Sequence, residues 1–331
     1  MSKKRILSGM RPTGALHLGH LSVLQNWVHL QETYESYYAI VDWHALTTGY
    51  EDKINYQTLI ENIALDWLSV GLDPRKSTIF VQSSVKEHAE LHLLLSMITP
   101  LSWLERVPTY KDQIQQLGSD GKDLHTYGFL GYPLLQAADI LVYRAHAVPV
   151  GEDQIPHIEL CREIARRFNY LYGPVFPESE ALIGKVPFLP GVDGRKMSKS
   201  YNNAISISAS TTEIKQQVQK MITDPQRLRK SDPGHPEVCI VDKFLKIYAE
   251  DAASVEEACR KGEIGCVACK AYLAEKIDVV LAPYRARRAE WDEPGLVQNM
   301  LAEGAERARQ TADLTLCEVR NAMGLSPRSP G

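Results

Sequence analysis

Short apolar runs alternate with helical patterns through the first half of this 331-residue chain, and that alternation limits the folds open to it. The runs predict strands at Ile6–Ser8, Tyr37–Asp42, Thr78–Gln82 and Ala147–Val150. Helical spacing begins at Gly19 and returns over Tyr56–Val70, Glu87–Met97, Leu101 to about Gln116, and Glu152–Phe168. A strand–helix–strand order of this kind predicts a parallel sheet covered by helices, with ligands bound at the carboxyl ends of the strands.

The strand signal nearly vanishes beyond Ser210, where the pattern is helical over Glu213–Thr223, Val241–Ala249, Lys270–Leu281 and Gly295–Met323. Two glycine-containing stretches, Leu117–Gly131 and Gly184–Gly194, are predicted to be a loop and a bridge. We therefore expect an α/β fold with a Rossmann-like parallel-sheet nucleotide-binding domain over residues 1–200. An all-α domain should follow over 201–323, and residues 324–331 are predicted to be a disordered tail.

The composition is that of an ordinary globular protein, with 44% hydrophobic and 24% charged residues. The net charge of −4 gives no overall attraction for a polyanion, so a nucleic acid would have to be held by local basic clusters. No apolar run approaches the roughly 20 residues that span a bilayer, and the basic start Met1–Lys4 is not followed by a signal-peptide core. We expect a cytoplasmic protein that does not enter a membrane.

A pair of histidines, His17 and His20, lies where the first strand is predicted to turn into the first helix. Gly9, Pro12 and Gly14 form the predicted turn. The free N–H groups and the positive dipole end of such a helix start favour a polyphosphate, and imidazoles add hydrogen bonds to oxygens that gain charge. In the alternative interpretation, one histidine caps the helix and the other packs against it.

A second basic motif, Lys196–Ser200, lies far along the chain in a loop flanked by Gly191 and Gly194. Two lysines on a glycine-hinged loop can close over a triphosphate and neutralise the charge that moves onto a leaving pyrophosphate. A solvated loop without a binding function is the alternative.

Three polar residues, Tyr132, Gln136 and Asp139, recur on one face of a predicted apolar helix whose first turn we expect at Pro133. Polar groups on a buried face need partners, so they either bond to one another in the core or line a pocket for a substrate with polar handles. The run Val148–Gln154 then predicts a strand, a glycine turn and an acidic helix start, where its last residue can meet the amino or carboxylate group of a substrate.

Four of the six cysteines crowd into one segment with the spacing C-x19-C-x6-C-x2-C: Cys239, Cys259, Cys266 and Cys269. Four thiolates at one centre suit a tetrahedral zinc ion or a [4Fe–4S] cluster. The alternative is four unligated thiols, which packing alone rarely brings into this spacing. Cys161 and Cys317 stand apart on apolar helix faces and are predicted to be small core residues.

The pairing of His17–His20 with Lys196–Ser200 resembles the two nucleotide-binding signatures of class I aminoacyl-tRNA synthetases, which lie far apart in sequence and converge on ATP. With Tyr132–Asp139, Val41–Ala45 and Gly151–Leu160, the set is similar to bacterial tryptophanyl-tRNA synthetases, from Ile6 to about Met323. The resemblance implies activation of L-tryptophan by ATP with Mg²⁺, followed by transfer to tRNA(Trp), in a homodimer.

That resemblance also implies which residues would meet each substrate. His17, His20, Lys196 and Lys199 would be the catalytic contacts to the phosphates, and ATP would further meet Arg11, Thr13, Gly19, Lys111, Gly151, Asp153, Met197 and Ser198. Tryptophan would meet Gly9, His44, Tyr132, Gln136, Asp139, Val148, Val150 and Gln154, with Asp139 accepting the indole N–H. A subgroup of these enzymes has clustered cysteines that carry a [4Fe–4S] cluster in the anticodon-binding domain, although its first cysteine spacing is longer than the one here.

Two clusters of basic residues are candidates for binding tRNA phosphates. One is Arg227, Arg229 and Lys230; the other is Arg285, Arg287 and Arg288, for which a solvated helix face is the alternative.

This sequence departs from the family pattern at two places. Many tryptophan enzymes carry methionine at the position of Gln136, and a Tyr–Gln–Asp set also resembles tyrosyl-tRNA synthetases, so tyrosine is the rival amino acid. Gln113 stands where another basic residue is expected after Lys111, which leaves open whether Lys111 or Lys122 meets phosphate. Outside tRNA charging, the rivals are an adenylyltransferase of the same fold and a non-catalytic, metal-containing RNA-binding module.

Overall fold

The computed structural model describes residues 3–108, 123–184, 189–197 and 202–325. Within these ranges, five parallel strands form one sheet in the order β3-β2-β1-β4-β5. They are β1 (Arg5–Met10), β2 (Glu35–Ile40), β3 (Ser77–Val81), β4 (Ala147–Val150) and β5 (Glu180–Ile183). The four predicted strands are present. The sequence analysis missed β5, which is partly exposed and whose apolar residues are only the three from Ala181 to Ile183.

Helices connect the strands and then make up the rest of the chain. The first part contains α1 (Leu18–Thr33), α2 (Asp42–Gly49), α3 (Tyr56–Val70), α4 (Glu87–Ser96), α5 (Leu101–Glu105), α6 (Tyr127–Val142) and α7 (Ile155–Tyr172). The C-terminal part contains α8 (Thr211–Gln219), α9 (Ile240–Tyr248), α10 (Ala252–Arg260), α11 (Cys266–Trp291) and α12 (Leu296–Ala322). In the ranges given above, no helix combines the length and the apolar character needed to cross a membrane.

The predicted start of α6 is wrong. The helix begins inside the stretch predicted as a loop up to Gly131, because Thr126 caps it: the threonine hydroxyl accepts the N–H of Phe129 at 3.2 Å. Pro133 therefore lies inside the helix rather than in its first turn. Because proline has no N–H, it cannot donate to the carbonyl of Phe129 one turn earlier.

Some predicted segments lie partly outside the described residues. α5 ends at Glu105, where the sequence predicted a helix to about Gln116, and residues 109–122 are outside the description. The predicted disordered tail is described only as far as Leu325. The division of the chain into domains at residue 200 stays a prediction.

Helices cover both faces of the sheet, which is why β2 is buried along almost its whole length. On one face, Trp27 of α1 stacks on Tyr38 with 4.7 Å between ring centroids, and Trp67 of α3 meets Trp27 edge-on. On the other face, Tyr37 and Tyr143 stack at 4.5 Å. Successive residues of β2 thus anchor two separate cores.

The two longest helices of the C-terminal part pack on the first part of the chain. α12 lies against β3, and a Cβ at Gly304 would stand only 1.8 Å from the carbonyl oxygen of Ile79, so glycine permits this approach. α11 lies against α3 and α8.

The arginine cluster of α11 takes part in this packing. The guanidinium groups of Arg285, Arg287 and Arg288 donate to oxygens of Ala209, Ser69 and Asn62 at 3.0, 2.6 and 2.8 Å, respectively. The interpretation as a solvated helix face is therefore wrong, and binding of phosphate by this cluster stays a prediction. Arg287 and Arg288 thus hold α11 against α3, and Arg285 holds it against the segment that precedes α8.

Candidate active site

A cavity of about 1000 Å³ opens at the carboxyl ends of β1 and β4, where the strand order reverses. The predicted site residues that line it are Gly9, Arg11, His17, Gly19, His20, His44, Tyr132, Gln136, Asp139, Val148, Val150, Gly151, Asp153, Gln154, Lys196 and Met197. Thr13 lies in the turn before the histidines and does not line the cavity. Lys111, Lys122, Ser198 and Lys199 lie outside the described residues.

The segment with the two histidines caps α1. His17 is the residue before the helix, and Nδ1 of His20 accepts the N–H of His17 at 3.2 Å. The two ring centroids lie 3.9 Å apart, and both residues line the cavity. The two histidines therefore cap the helix and also line the cavity, two roles that the sequence analysis treated as alternatives.

Main-chain hydrogen bonds hold the two basic motifs side by side. The N–H of Leu18 donates to the carbonyl of Ile205 at 2.9 Å, and the N–H of Ile207 donates to that of Leu16 at 3.0 Å. Because Ile205 and Ile207 follow the lysine motif closely, this pairing brings the start of that motif to the same cavity as the histidines.

Lys196 is exposed at the cavity, and hydrogen bonds hold the base of its loop. Nδ2 of Asn203 donates to the carbonyl of Lys196 at 3.2 Å and to Oδ1 of Asp193 at 2.7 Å. The bond from Asn203 is the main reason that the pKa of Asp193 lies below its usual value. Gly191 has to be glycine here, since a Cβ would stand 2.4 Å from Nδ2 of Asn203.

Asp139 lines the cavity although it is only 2% exposed. Its Oδ1 accepts a hydrogen bond from Nδ1 of His88 at 2.6 Å, and its Oδ2 accepts one from Nε2 of His44 at 2.9 Å. Nε2 of Gln82 reaches both oxygens, at 2.8 and 2.9 Å. Burial acts to raise the pKa of Asp139, but the charge of His88 and the hydrogen bonds from both histidines outweigh it and hold the pKa well below its usual range.

The hydrogen-bond network continues from Asp139 away from the cavity. Nε2 of His88 lies 2.8 Å from the hydroxyl oxygen of Tyr143. Burial, with the charge of Asp139, raises the pKa of Tyr143 well above its usual value, so the phenol stays protonated. The ring of His88 is thus held at both nitrogens, by the phenol of Tyr143 on one side and by the carboxylate of Asp139 on the other.

Tyr132 lies beside a histidine that stays uncharged. The hydroxyl oxygen of Tyr132 is 3.1 Å from Nε2 of His157, which is buried. Burial is the largest cause that lowers the pKa of His157, to about 4. The imidazole is therefore neutral near pH 7 and adds no positive charge to this part of the cavity.

A family model described as "tRNA synthetases class I (W and Y)" matches residues 2–282. The chain belongs to this family. It is 54% identical to the tryptophan–tRNA ligase of Thermotoga maritima over 97% of this chain and 99% of that protein, and 44% identical to that of Aquifex aeolicus over 97% and 100%. A solved tryptophanyl-tRNA synthetase from Campylobacter jejuni, complexed with ADP and tryptophan, is similar with a TM-score of 0.88, 34% identity and coverage of 97% of this chain and 100% of that chain. The predicted fold class and the predicted enzyme class, an aminoacyl-tRNA synthetase, are confirmed.

In this synthetase the four clustered cysteines come from three helix ends. Cys239 precedes α9, Cys259 lies in the last turn of α10, and Cys266 and Cys269 lie in the first turn of α11. Burial raises the pKa of Cys239, Cys259 and Cys269, the last to about 12, and the neighbouring thiols raise each further. Among the residues that the structure describes, no three His, Cys, Asp or Glu side chains stand close enough to hold one metal ion.

The two remaining cysteines of the synthetase differ in burial. Cys161 is a buried core residue, as predicted. The same prediction is wrong for Cys317, which is exposed, because its neighbours Leu316 and Val319 occupy the buried face of α12.

The sequence prediction missed three residues of the synthetase site: Gln82, His88 and Tyr143. Gln82 directly follows β3, at the sheet edge where ligands were expected, so its position was a usable signal. His88 and Tyr143 carry no comparable signal, because nothing in the sequence separates them from ordinary core residues.

Proposed function

We propose that this synthetase is a tryptophan–tRNA ligase, which activates L-tryptophan with ATP to tryptophanyl-adenylate and transfers it to tRNA(Trp). The observation that carries the proposal is the 54% identity, over almost the whole chain, to the Thermotoga maritima tryptophan–tRNA ligase. The cavity supports it, because one space of about 1000 Å³ is lined by the histidine pair, the start of the lysine motif and the buried carboxylate.

The basic groups mark the nucleotide end of the cavity. We assign ATP, bound with Mg²⁺, to the start of α1, where the helix dipole favours phosphate and where His17, His20 and Arg11 lie. Lys196 and Lys199 follow the pyrophosphate as their loop closes, and the other predicted ATP contacts belong to the same proposal. No side chain acts as nucleophile: the carboxylate of tryptophan attacks the α-phosphorus while the bond to the pyrophosphate oxygen breaks, so the protein positions the substrates and stabilises charge.

Asp139 marks the amino-acid end of the cavity. Because Nε2 of Gln82 reaches both of its oxygens, Gln82 can keep Oδ1 and release Oδ2 to the indole N–H. Phenylalanine offers no N–H and cannot make this hydrogen bond to the carboxylate, which disfavours its binding relative to tryptophan. Tyrosine can donate through its phenol, so its rejection depends on the ring shape that Val148 and Val150 allow.

Exchange of labelled pyrophosphate into ATP, with one amino acid present at a time, tests this function. We expect kcat/KM for tryptophan to exceed that for tyrosine and for phenylalanine by at least about a hundredfold. Preference for tyrosine would replace the proposal by its nearest rival. Exchange with tryptophan but no charging of tRNA would indicate an adenylyltransferase, and absence of any adenylate would indicate an RNA-binding module.

We also propose that Cys239, Cys259, Cys266 and Cys269 hold a [4Fe–4S] cluster. They supply the full thiolate ligand set, and they come from the ends of three helices, of which α9 packs against both α10 and α11. Four thiolates suit zinc as well, and the cluster is preferred here only because the chain resembles the subgroup of these enzymes with clustered cysteines. NH1 of Arg227 donates to Sγ of Cys259 at 3.6 Å and so stabilises a thiolate there.

Metal content and visible absorbance of anaerobically purified protein test the cluster. We expect a broad visible absorbance that a reductant bleaches and about four irons per chain. The Cys266→Ser variant should lose both signals, whereas Cys317→Ser, at an exposed position outside the group, should keep them. One zinc without iron would replace the cluster by a zinc site, and protein without either metal would refute both.

The remaining parts of the proposal concern the partners. We assign residues 201–323 to binding of the tRNA anticodon, where the exposed Arg229 and Lys230 are available to phosphates. We further propose that the enzyme works as a homodimer in the cytoplasm, where tRNA is charged. Light scattering of the purified protein tests the dimer.

A further inference from the structure

The C-terminal helix α11 reaches the nucleotide end of the cavity through one buried ion pair. NH1 of Arg288, in the last turns of α11, donates to Oδ1 of Asp66 in α3. Oδ2 of the same carboxylate accepts the N–H of Leu16 at 3.0 Å, and Leu16 directly precedes His17. We propose that Arg288 and Asp66 are positioning residues for ATP binding, which act by holding the main chain in front of His17.

The ion pair between Arg288 and Asp66 is buried, which fixes the carboxylate that binds Leu16. Asp66 is 1% exposed, and the side chain of Arg288 is 18% exposed. NH2 of Arg288 donates in addition to Oδ1 of Asn62 at 2.8 Å, so the guanidinium is fixed at two points of α3. A buried carboxylate that loses its cationic partner is unstable where it stands and moves or takes up a proton, and either change weakens its hold on Leu16.

The segment that Asp66 holds is anchored along its two edges. On one edge the carboxylate accepts the N–H of Leu16; on the other, the carbonyl of Leu16 accepts the N–H of Ile207 at 3.0 Å and the hydroxyl of Ser206 at 3.2 Å. Both polar groups of this residue are thus engaged, which sets the orientation of the main chain where α1 starts. Loss of the Asp66 contact leaves only the hydrogen bonds from Ser206 and Ile207 to hold this residue.

Arg287 provides a matched control on the same helix. Its Nε donates to the carbonyl of Ser69 at 2.6 Å, so it also fastens α11 to α3. Its hydrogen bonds go to Ser69 and Val70 at the end of α3, not to the carboxylate that holds Leu16. A variant of Arg287 therefore measures the effect of weaker helix docking alone.

The test rests on the proposed function and uses tryptophan-dependent pyrophosphate exchange of the full-length enzyme. We expect Arg288→Gln to raise KM for ATP by about tenfold, the size expected for one charge-assisted hydrogen bond, and to leave KM for tryptophan within about twofold. Arg287→Gln should leave both KM values within about twofold. Arg288→Lys, which keeps the charge, should restore most of the affinity for ATP.

Several results would overturn the inference without touching the proposed function. These are an unchanged KM for ATP in Arg288→Gln, an equal rise in Arg287→Gln, or equal rises in KM for ATP and for tryptophan. If Arg288→Gln does not fold, Asp66→Asn takes its place and is compared with Arg287→Gln by the same criteria. Failure of the wild-type enzyme to catalyse exchange with tryptophan would instead refute the function itself.

Discussion

Replacement of Asp139 by asparagine tests how the cavity recognises its amino acid. The substitution keeps the shape of the side chain but exchanges one acceptor oxygen for an amide that donates. The carboxylate oxygens accept from His44, Gln82 and His88. In the variant, the remaining oxygen can keep His88 and Gln82, whereas the amide turns a donor toward the space that we assign to the indole N–H.

The size of the effect follows from the charge and burial of the acceptor. A hydrogen bond to a charged group contributes about 1.5–3 kcal/mol, and a donor that faces another donor loses it entirely. We therefore expect kcat/KM for tryptophan to fall by about 10- to 150-fold and KM for ATP to change by less than about threefold. The depressed pKa of Asp139 means that its ionised form, and the stability it contributes, is lost only as pH falls below its usual value of 3.8. The fall in kcat/KM for tryptophan in Asp139→Asn should therefore be the same from about pH 6 to about pH 9.

Asp224 offers a matched control for this experiment. It is also buried and also accepts from a histidine, Nδ1 of His235 at 2.8 Å, but it does not line the cavity. Pyrophosphate exchange with tryptophan should be unchanged in Asp224→Asn. An Asp139→Asn enzyme with wild-type kcat/KM for tryptophan, or an equal loss in the control, would refute recognition of the indole by Asp139.

Three further predictions concern other parts of the molecule. Lys196→Ala should slow adenylate formation about a hundredfold with KM for tryptophan unchanged, because the lysine stabilises charge that develops on the leaving pyrophosphate; an unchanged exchange rate would contradict this. Folding lowers the pKa of His157 from 6.5 to about 4, so the free energy of unfolding should decrease by up to about 3 kcal/mol as the pH falls from 6.5 to about 4. Urea unfolding of His157→Gln should lack this dependence on pH. Gly304→Ala should lower the free energy of unfolding by about 3 kcal/mol or more, since its Cβ would meet the carbonyl of Ile79, whereas Gly128→Ala, with open space around it, should cost nothing in the same measurement.

The function predicted from the sequence, a tryptophan–tRNA ligase, agrees with the comparisons, and the central strands of the fold were predicted correctly. These elements are marked by local signals: buried parallel strands are apolar along their length, and the motifs lie at fixed places relative to them. β5 was missed because its four residues are all partly or fully exposed and its apolar run is short, whereas β3, the other edge strand, is largely buried and carries a longer run. The start of α6 was misplaced because the capping threonine, Thr126, is a weaker signal than the glycines and proline beside it.

The parts of the site that the sequence did not predict depend on contacts between distant segments. Asp139 was predicted as a binding residue, but its partners His44, Gln82 and His88 come from three other segments that only the fold brings together. The same holds for Arg288, because a basic residue on a helix is equally compatible with solvent, phosphate or a buried carboxylate until its neighbour is known. Residue type and spacing therefore predicted which side chains line the cavity. The residues that hold those side chains in place could be identified only from the fold.

Residues of the two nucleotide motifs differ in whether they also contribute to the stability of the fold. Main-chain bonds of Leu18 and Ile207 align the segments, so the exposed side chain of Lys196 takes no part in the alignment. His20 differs, because its Nδ1 accepts the N–H of His17 at the start of α1. We therefore expect His20→Ala to lower both kcat and the free energy of unfolding, the latter by about 1 kcal/mol as for other lost helix caps. Lys196→Ala should lower kcat at unchanged stability, and an equal loss of stability in the two variants would show that the lysine also holds the fold.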